Sequence, residues 1–204
     1  ALLEAMQEHQ VTSGRHTYIM KQPFFVLATQ NPIEMEGTYP LPEAQLDRFL
    51  YKLRVTMANK QELKEVLNRT TDARKVAAER VITGAEAQEL RSFMRQLVTA
   101  DNLKDYIVRL VLATHADGPN APELVKRFVR FGSSPRGAQA LTMAAKVYAA
   151  MDGRLQAGFE DVRRAALPAL RHRLLLNFEG EAEGMNTDRL IAQLLEQIPE
   201  VEPG

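Results

Sequence analysis

Apolar residues follow different rules on the two sides of residue 57. Before it, the run Phe24-Phe25-Val26-Leu27-Ala28 has no polar face, which is the pattern of a central strand in a parallel sheet covered by helices on both sides. Phe49 to Val55 offers a second strand, and Val11 to Met20 a short hairpin turning at Ser13-Gly14. Leu2, Leu3 and Met6 already share one side of a helix with no capping residue before them, so the chain is expected to start inside a helix of something longer. Pro42 and Glu43 suit the first turn of a short helix running to about Arg48.

From residue 58 onward no convincing strand occurs, and apolar positions recur three and four apart. Asn59 with Glu62 and Thr83 with Glu86 have capping-box spacing. Each pair is followed by an apolar stripe: Leu63, Val66 and Leu67, then Leu90, Phe93, Met94 and Leu97. Further helices are expected over 103–115, 135–151, 159–175 with a bend at Pro168, and 187–198. The fold class is therefore α/β plus all-α: part of a layered α/β domain over 1–57, then an all-helical domain over 58–204.

Composition narrows the partners. The 204 residues are 45% hydrophobic and 25% charged, ordinary globular usage. Lys plus Arg and Asp plus Glu both number 26, so no broad basic field draws the chain to nucleic acid or an acidic membrane, and neither is expected as a partner. The absence of cysteine excludes disulfides and thiolate metal sites and fits a cytoplasmic location. No apolar stretch reaches membrane-spanning length. Asn68-Arg69-Thr70 matches a glycosylation acceptor and is read as chance.

Three residues carry candidate chemistry. Asn31 stands just past the end of the first predicted strand, where ligands of open parallel sheets bind, although an Asn before Pro32 equally suits a turn. Arg48 closes the short helix, where it could equally pair with the adjacent Asp47. In "GSSPRGAQAL", Ser133 or Ser134 suits an N-cap, Pro135 the first helical position and Arg136 the first turn. A cation there opposes the helix dipole. It makes sense if an anion such as phosphate binds, or if a carboxylate pairs with it. Together the three supply a water-positioning amide and cations for developing charge, as phosphoryl transfer requires. Other groups read blandly. His9 and His16 could face each other across the hairpin but lack a third metal ligand. His115 and Asp117 read as an exposed helix end, and "VKRFVRF" as an amphipathic connector burying Phe128 and Phe131. The eight methionines read as core filling.

The blocks "ALLEAMQE", "FFVLATQNPIEMEGTYPLPEAQLDRF", "GSSPRGAQAL" and "LRHRLLLNFEGEAEG" resemble the MoxR family of AAA+ ATPases, in the same order and over essentially the whole chain. The resemblance implies the C-terminal half of an AAA+ αβα domain followed by a helical lid. It implies Asn31 as sensor 1 holding the attacking water, Arg48 as an arginine finger reaching the neighbouring subunit's nucleotide, and Arg136 as sensor 2 reading the γ-phosphate. Asn31 and Arg136 are thus the expected nucleotide contacts. The parent is expected to bind ATP and Mg2+, to form a homo-oligomeric ring, a hexamer, and to remodel client proteins, including proteins with von Willebrand factor A domains. The residues leave two alternatives open, a nucleic-acid-directed motor of the same fold and a nucleotide-free interaction module. No Gly-Lys and no Asp-Glu dipeptide occurs, so the chain has neither the family's P-loop nor its Walker B pair. In the family both lie upstream of "ALLEAMQE", so the chain is expected to begin just after Walker B and to bind no nucleotide tightly alone.

Overall fold

The computed structural model describes residues 2–30, 41–71 and 78–201. Its core is helical. Helices α5 (Asp101–Leu112), α7 (Pro135–Met151), α8 (Phe159–Leu170) and α10 (Thr187–Gln197) pack into a bundle in which α7 lies along α8. The facing surfaces explain the close approach: Ala140, Ala144, Ala145 and Ala149 of α7 and Ala165, Ala166 and Ala169 of α8 are all buried, and small side chains let helix axes draw together. Tyr106, Ile107, Leu110, Leu141, Val162, Leu190, Ile191 and Leu194 fill the remaining space. Pro168 lies inside α8, which ends at Leu170, five residues short of the predicted end.

The helix starts follow the caps read from the sequence. Helix α3 (Lys60–Thr71) opens with Asn59 Oδ1 accepting from Glu62 N at 3.0 Å while Asn59 N donates to Glu62 at 2.8 Å. Helix α4 (Gly84–Gln96) opens with the reciprocal Thr83–Glu86 box. Their apolar stripes behave differently from a core. Neither helix buries a residue, and Leu67 and Leu90 stay more than half exposed. Capping is local, whereas burial needs a partner surface, and α4 finds one only along part of α7.

At the other end, α1 (Leu2–Glu8) leads into an antiparallel hairpin of β1 (Gln10–Ser13) and β2 (His16–Ile19). Gly14 takes a φ of 62° in its turn, a conformation that costs glycine nothing. The register pairs Ser13 with His16 at the turn, while His9 O accepts from Met20 N at the open end. The two histidines are therefore at opposite ends of the hairpin and do not face each other. Among the described residues no three His, Cys, Asp or Glu side chains come together as a metal site.

Several expectations are corrected. Phe24 to Ala28 forms no strand with the described residues, and Phe25 and Leu27 are 79% and 95% exposed. A central strand needs neighbours, and hydrophobicity alone does not supply them. Phe49 to Val55 also joins no ladder; its backbone is held by the end of α8 instead. Pro42 caps the short helix α2 (Glu43–Leu46) from outside its first turn. The helical half does contain a strand pair, β3 (Val129–Phe131) with β4 (Leu175–Leu176), preceded by α6 (Glu123–Phe128) and followed by α9 (Phe178–Ala182). Two or three residues are too few to show a period. In "VKRFVRF", Phe128 is buried but Phe131 is exposed, and Arg127 is held by Glu179 and Glu183, each at 2.6 Å. His115 is half-buried, with Nε2 donating to Ser133 O at 3.1 Å, so it is no exposed helix end.

Candidate functional site

The start of α7 is fixed from behind. Ser133 N donates to Thr114 Oγ1 at 2.8 Å, and Thr114 Oγ1 in turn donates to Val111 O at the end of α5. A side chain at Gly132 would meet His115 and Thr114 atoms at 2.7 Å, so only glycine lets the chain pass this close. Ser134, and not Ser133, is the N-cap: its Oγ accepts from Arg136 N at 3.1 Å, with Pro135 in the first helical position.

The anion expected at this helix end is internal. The Asp47 carboxylate accepts from Ser134 Oγ at 2.9 Å to each oxygen, from Arg136 Nη1 at 3.2 Å and from Arg173 Nε at 3.2 Å. A negative group is favoured at a helix N-terminus, and here it also offsets the cation that Arg136 adds. The two arginines differ in accessibility. The Arg136 side chain is 47% exposed and that of Arg173 only 2%, so Arg136 can leave for another anion while Arg173 cannot.

Arg48, next to Asp47, does not pair with it. Asp47 turns toward the lid, and Arg48 reaches the other way: with the Gln7 amide oxygen turned toward it, both guanidinium ends donate to that oxygen, Nη2 at 2.8 Å. Its buried Nε has no partner. Arg48 is thus a half-buried cation anchored to a neutral amide of α1, with no carboxylate among its described contacts. Asn31 lies outside the described residues.

Segment 47–52 is gripped by three successive side chains after α8. Arg171 Nη1 donates to Lys52 O at 3.2 Å, and His172 Nε2 to Phe49 O at 2.9 Å. Arg173 donates to Asp47 O at 3.0 Å, Phe49 O at 2.8 Å and Leu50 O at 3.2 Å, and also to Ala169 O. In the other direction Lys52 N donates to Pro168 O at 2.9 Å. The last carbonyls of a helix lack intrahelical partners, which is why those of α8 are open to this segment. Burial lowers the pKa of Arg173 from its ordinary value, opposed by the Asp47 charge beside it. Sequence reasoning singled out no role for His172 or Arg173, and it read Ser134 only as a candidate N-cap and Asp47 only as a candidate partner for Arg48. The available signal was Arg171-His172-Arg173 set between Leu170 and Leu174: cations flanked by apolar residues must find buried acceptors.

His172 gives this grip a pH dependence. Burial pushes its imidazole down to about 4, while in the unfolded chain it titrates near the ordinary value of about 6.5. Between those values the unfolded state binds more protons, so stability is expected to fall as pH drops from about 6.5 to about 4, by up to roughly 1.4 kcal/mol per pH unit, and then to level off. Urea unfolding of wild type and His172→Gln across that range checks it. The variant, which cannot take up the proton, is expected to lack this part of the slope.

Comparison with known proteins agrees with the fold. The family described as ATPase family associated with various cellular activities (AAA) matches residues 1–51, and the AAA lid domain matches residues 121–194. Chaperone MoxR1 of Mycobacterium tuberculosis is 37% identical over 97% of this chain and 52% of its own length. YeaC of Bacillus subtilis is 38% identical over 97% of this chain and 59% of its own length. The chain thus spans little more than half the length of these relatives. A crystal structure from Cytophaga hutchinsonii superposes with a TM-score of 0.91 at 37% identity, covering 99% of this chain and 61% of that one.

Proposed function

Because the chain belongs to the MoxR family of AAA+ ATPases, we propose that it forms the sensor and arginine-finger side of an ATP-hydrolysing site completed by a P-loop that its own sequence does not contain. The observation that carries this reading is the junction at Asp47, where one carboxylate joins the α7 N-terminus bearing Arg136 to the segment bearing Arg48. When a phosphoryl group reaches the lid, Arg136 exchanges Asp47 for it. Arg48 meets the nucleotide of the next subunit, and Asn31 holds the attacking water. Magnesium, when bound with ATP, neutralises charge on the phosphates; its ligands are not assigned to this chain.

In this reading residues 1–57 belong to the αβα domain and 58–204 to the lid, and the parent works as a cytoplasmic ring, a hexamer, on client proteins that include von Willebrand factor A domain proteins. The word chaperone in the name of the M. tuberculosis relative supports the client reading. A nucleic-acid motor is disfavoured because Arg127, in the basic stretch, is already held by two carboxylates.

Titration calorimetry tests the division of labour. Two arginines and an amide do not replace a phosphate cradle, so the 204-residue chain is expected to bind ATP no more tightly than about millimolar, on the order of 4 kcal/mol. A longer form carrying a P-loop is expected to bind it much more tightly and hydrolyse it. Micromolar affinity of the 204-residue chain itself overturns this reading.

A further inference from the structure

We propose that Arg173 is a positioning residue for Arg48, so that a buried guanidinium of the lid sets where the finger points; the proposal rests on the reading of Arg48 as a finger acting on a neighbouring subunit. The contacts bracket residue 48. Asp47 O, on its N-terminal side, and Phe49 O and Leu50 O, on its C-terminal side, all accept from Arg173. The peptide groups between them are closed locally, with Arg48 N donating to Gln45 O and Phe49 N to Leu46 O. Every peptide plane around residue 48 is therefore tied, and the direction of its Cα–Cβ bond follows from those ties.

Only arginine makes this set of contacts. Its planar fork has five donors in fixed directions, whereas a lysine ammonium has three around a point. Stability alone is a poor reason for the arrangement, since well-packed apolar residues commonly replace a buried ion pair at no cost. What apolar residues do not provide is a grip on three carbonyls. The arrangement also joins Arg48 to the lid by its backbone while its tip rests on Gln7 of α1. A shift of the lid against α1 therefore moves the finger.

The test uses a longer form of the protein that carries a P-loop. Arg173→Lys is made alone and in an Arg48→Ala background, and kcat and KM for ATP are measured with thermal unfolding as the check on folding. Alone, Arg173→Lys is expected to lower kcat about 100-fold, the cost of misplacing a catalytic group by about an ångström, with KM nearly unchanged. In the Arg48→Ala background it is expected to lower kcat no further. A merely structural role predicts the same loss in both backgrounds, and that result overturns the proposal, as does full turnover by folded Arg173→Lys. If Arg48→Ala itself keeps full turnover, the finger reading falls first. Where Arg173→Lys does not fold, the neutral pair Asp47→Asn with Arg173→Gln leaves no uncompensated buried charge, since Arg136 is half exposed, and its kcat in the two Arg48 backgrounds is judged by the same outcomes.

Discussion

Arg48→Ala, in a longer form of the protein that carries a P-loop, is expected to reduce ATP turnover by about a thousandfold or more with little change in ATP affinity. The structure sharpens the contrast with a structural role. Asp47 is committed to Ser134, Arg136 and Arg173, so removing Arg48 breaks no ion pair with it. What is lost locally is the contact with the Gln7 amide, worth about 1.5 to 3 kcal/mol as a hydrogen bond to a charged group. A large fall in turnover without a comparable fall in melting temperature is therefore the signature of a finger. Mixing supplies the second arm: Arg48→Ala subunits are combined with P-loop-defective subunits that keep Arg48. Each alone is expected to be nearly inactive, and mixed rings to recover activity because the defective subunits present Arg48 to intact sites. Mixed rings that form and stay inactive, or full turnover by Arg48→Ala alone, remove Arg48 from the site.

Asp47→Ala is expected to destabilise the 204-residue chain itself by about 3 kcal/mol, because it leaves Arg173 as an uncompensated buried charge. The carboxylate side chain is 17% exposed and that of Arg173 2%, so water does little to rescue the cation. For a chain of this size the loss corresponds to a fall in melting temperature of roughly 6 to 12 °C. Glu65→Ala is the control. Its partner Arg69 and Glu65 itself are both more than half exposed, and solvent screening leaves such pairs little effect on stability. Thermal unfolding of the two variants side by side measures the difference. A loss below about 1 kcal/mol for Asp47→Ala means that Arg173 finds enough compensation from backbone carbonyls alone.

The sequence by itself determined what short-range chemistry controls. Asn59 with Glu62, Thr83 with Glu86, and Ser134-Pro135 open the helices they were expected to open, because a cap needs only residues two or three positions away. The start of α7 and the helical bundle were likewise legible from periodicity, and the order of four motif blocks was enough to indicate the family. Tertiary structure decided the rest. Phe25 and Leu27 carry the pattern of a buried strand yet are exposed, since burial is a property of neighbours and not of the segment. Helices α3 and α4 are amphipathic on paper yet bury no residue of their own, and of their stripes only Leu97, just past the end of α4, is buried.

The candidate site shows the division most clearly. Arg136 at a helix start could be read as a cation awaiting an anion, a phosphate or a carboxylate, but which carboxylate could not be chosen from the sequence. Nor could Arg48 be separated from its neighbour Asp47 without knowing that Asp47 turns away. Helical and strand patterns repeat within a few residues, whereas Asp47 lies 89 positions from Arg136 and 126 from Arg173. A buried carboxylate takes the donors that packing brings within hydrogen-bond distance, and only the folded chain brings α2, α7 and the end of α8 to one point.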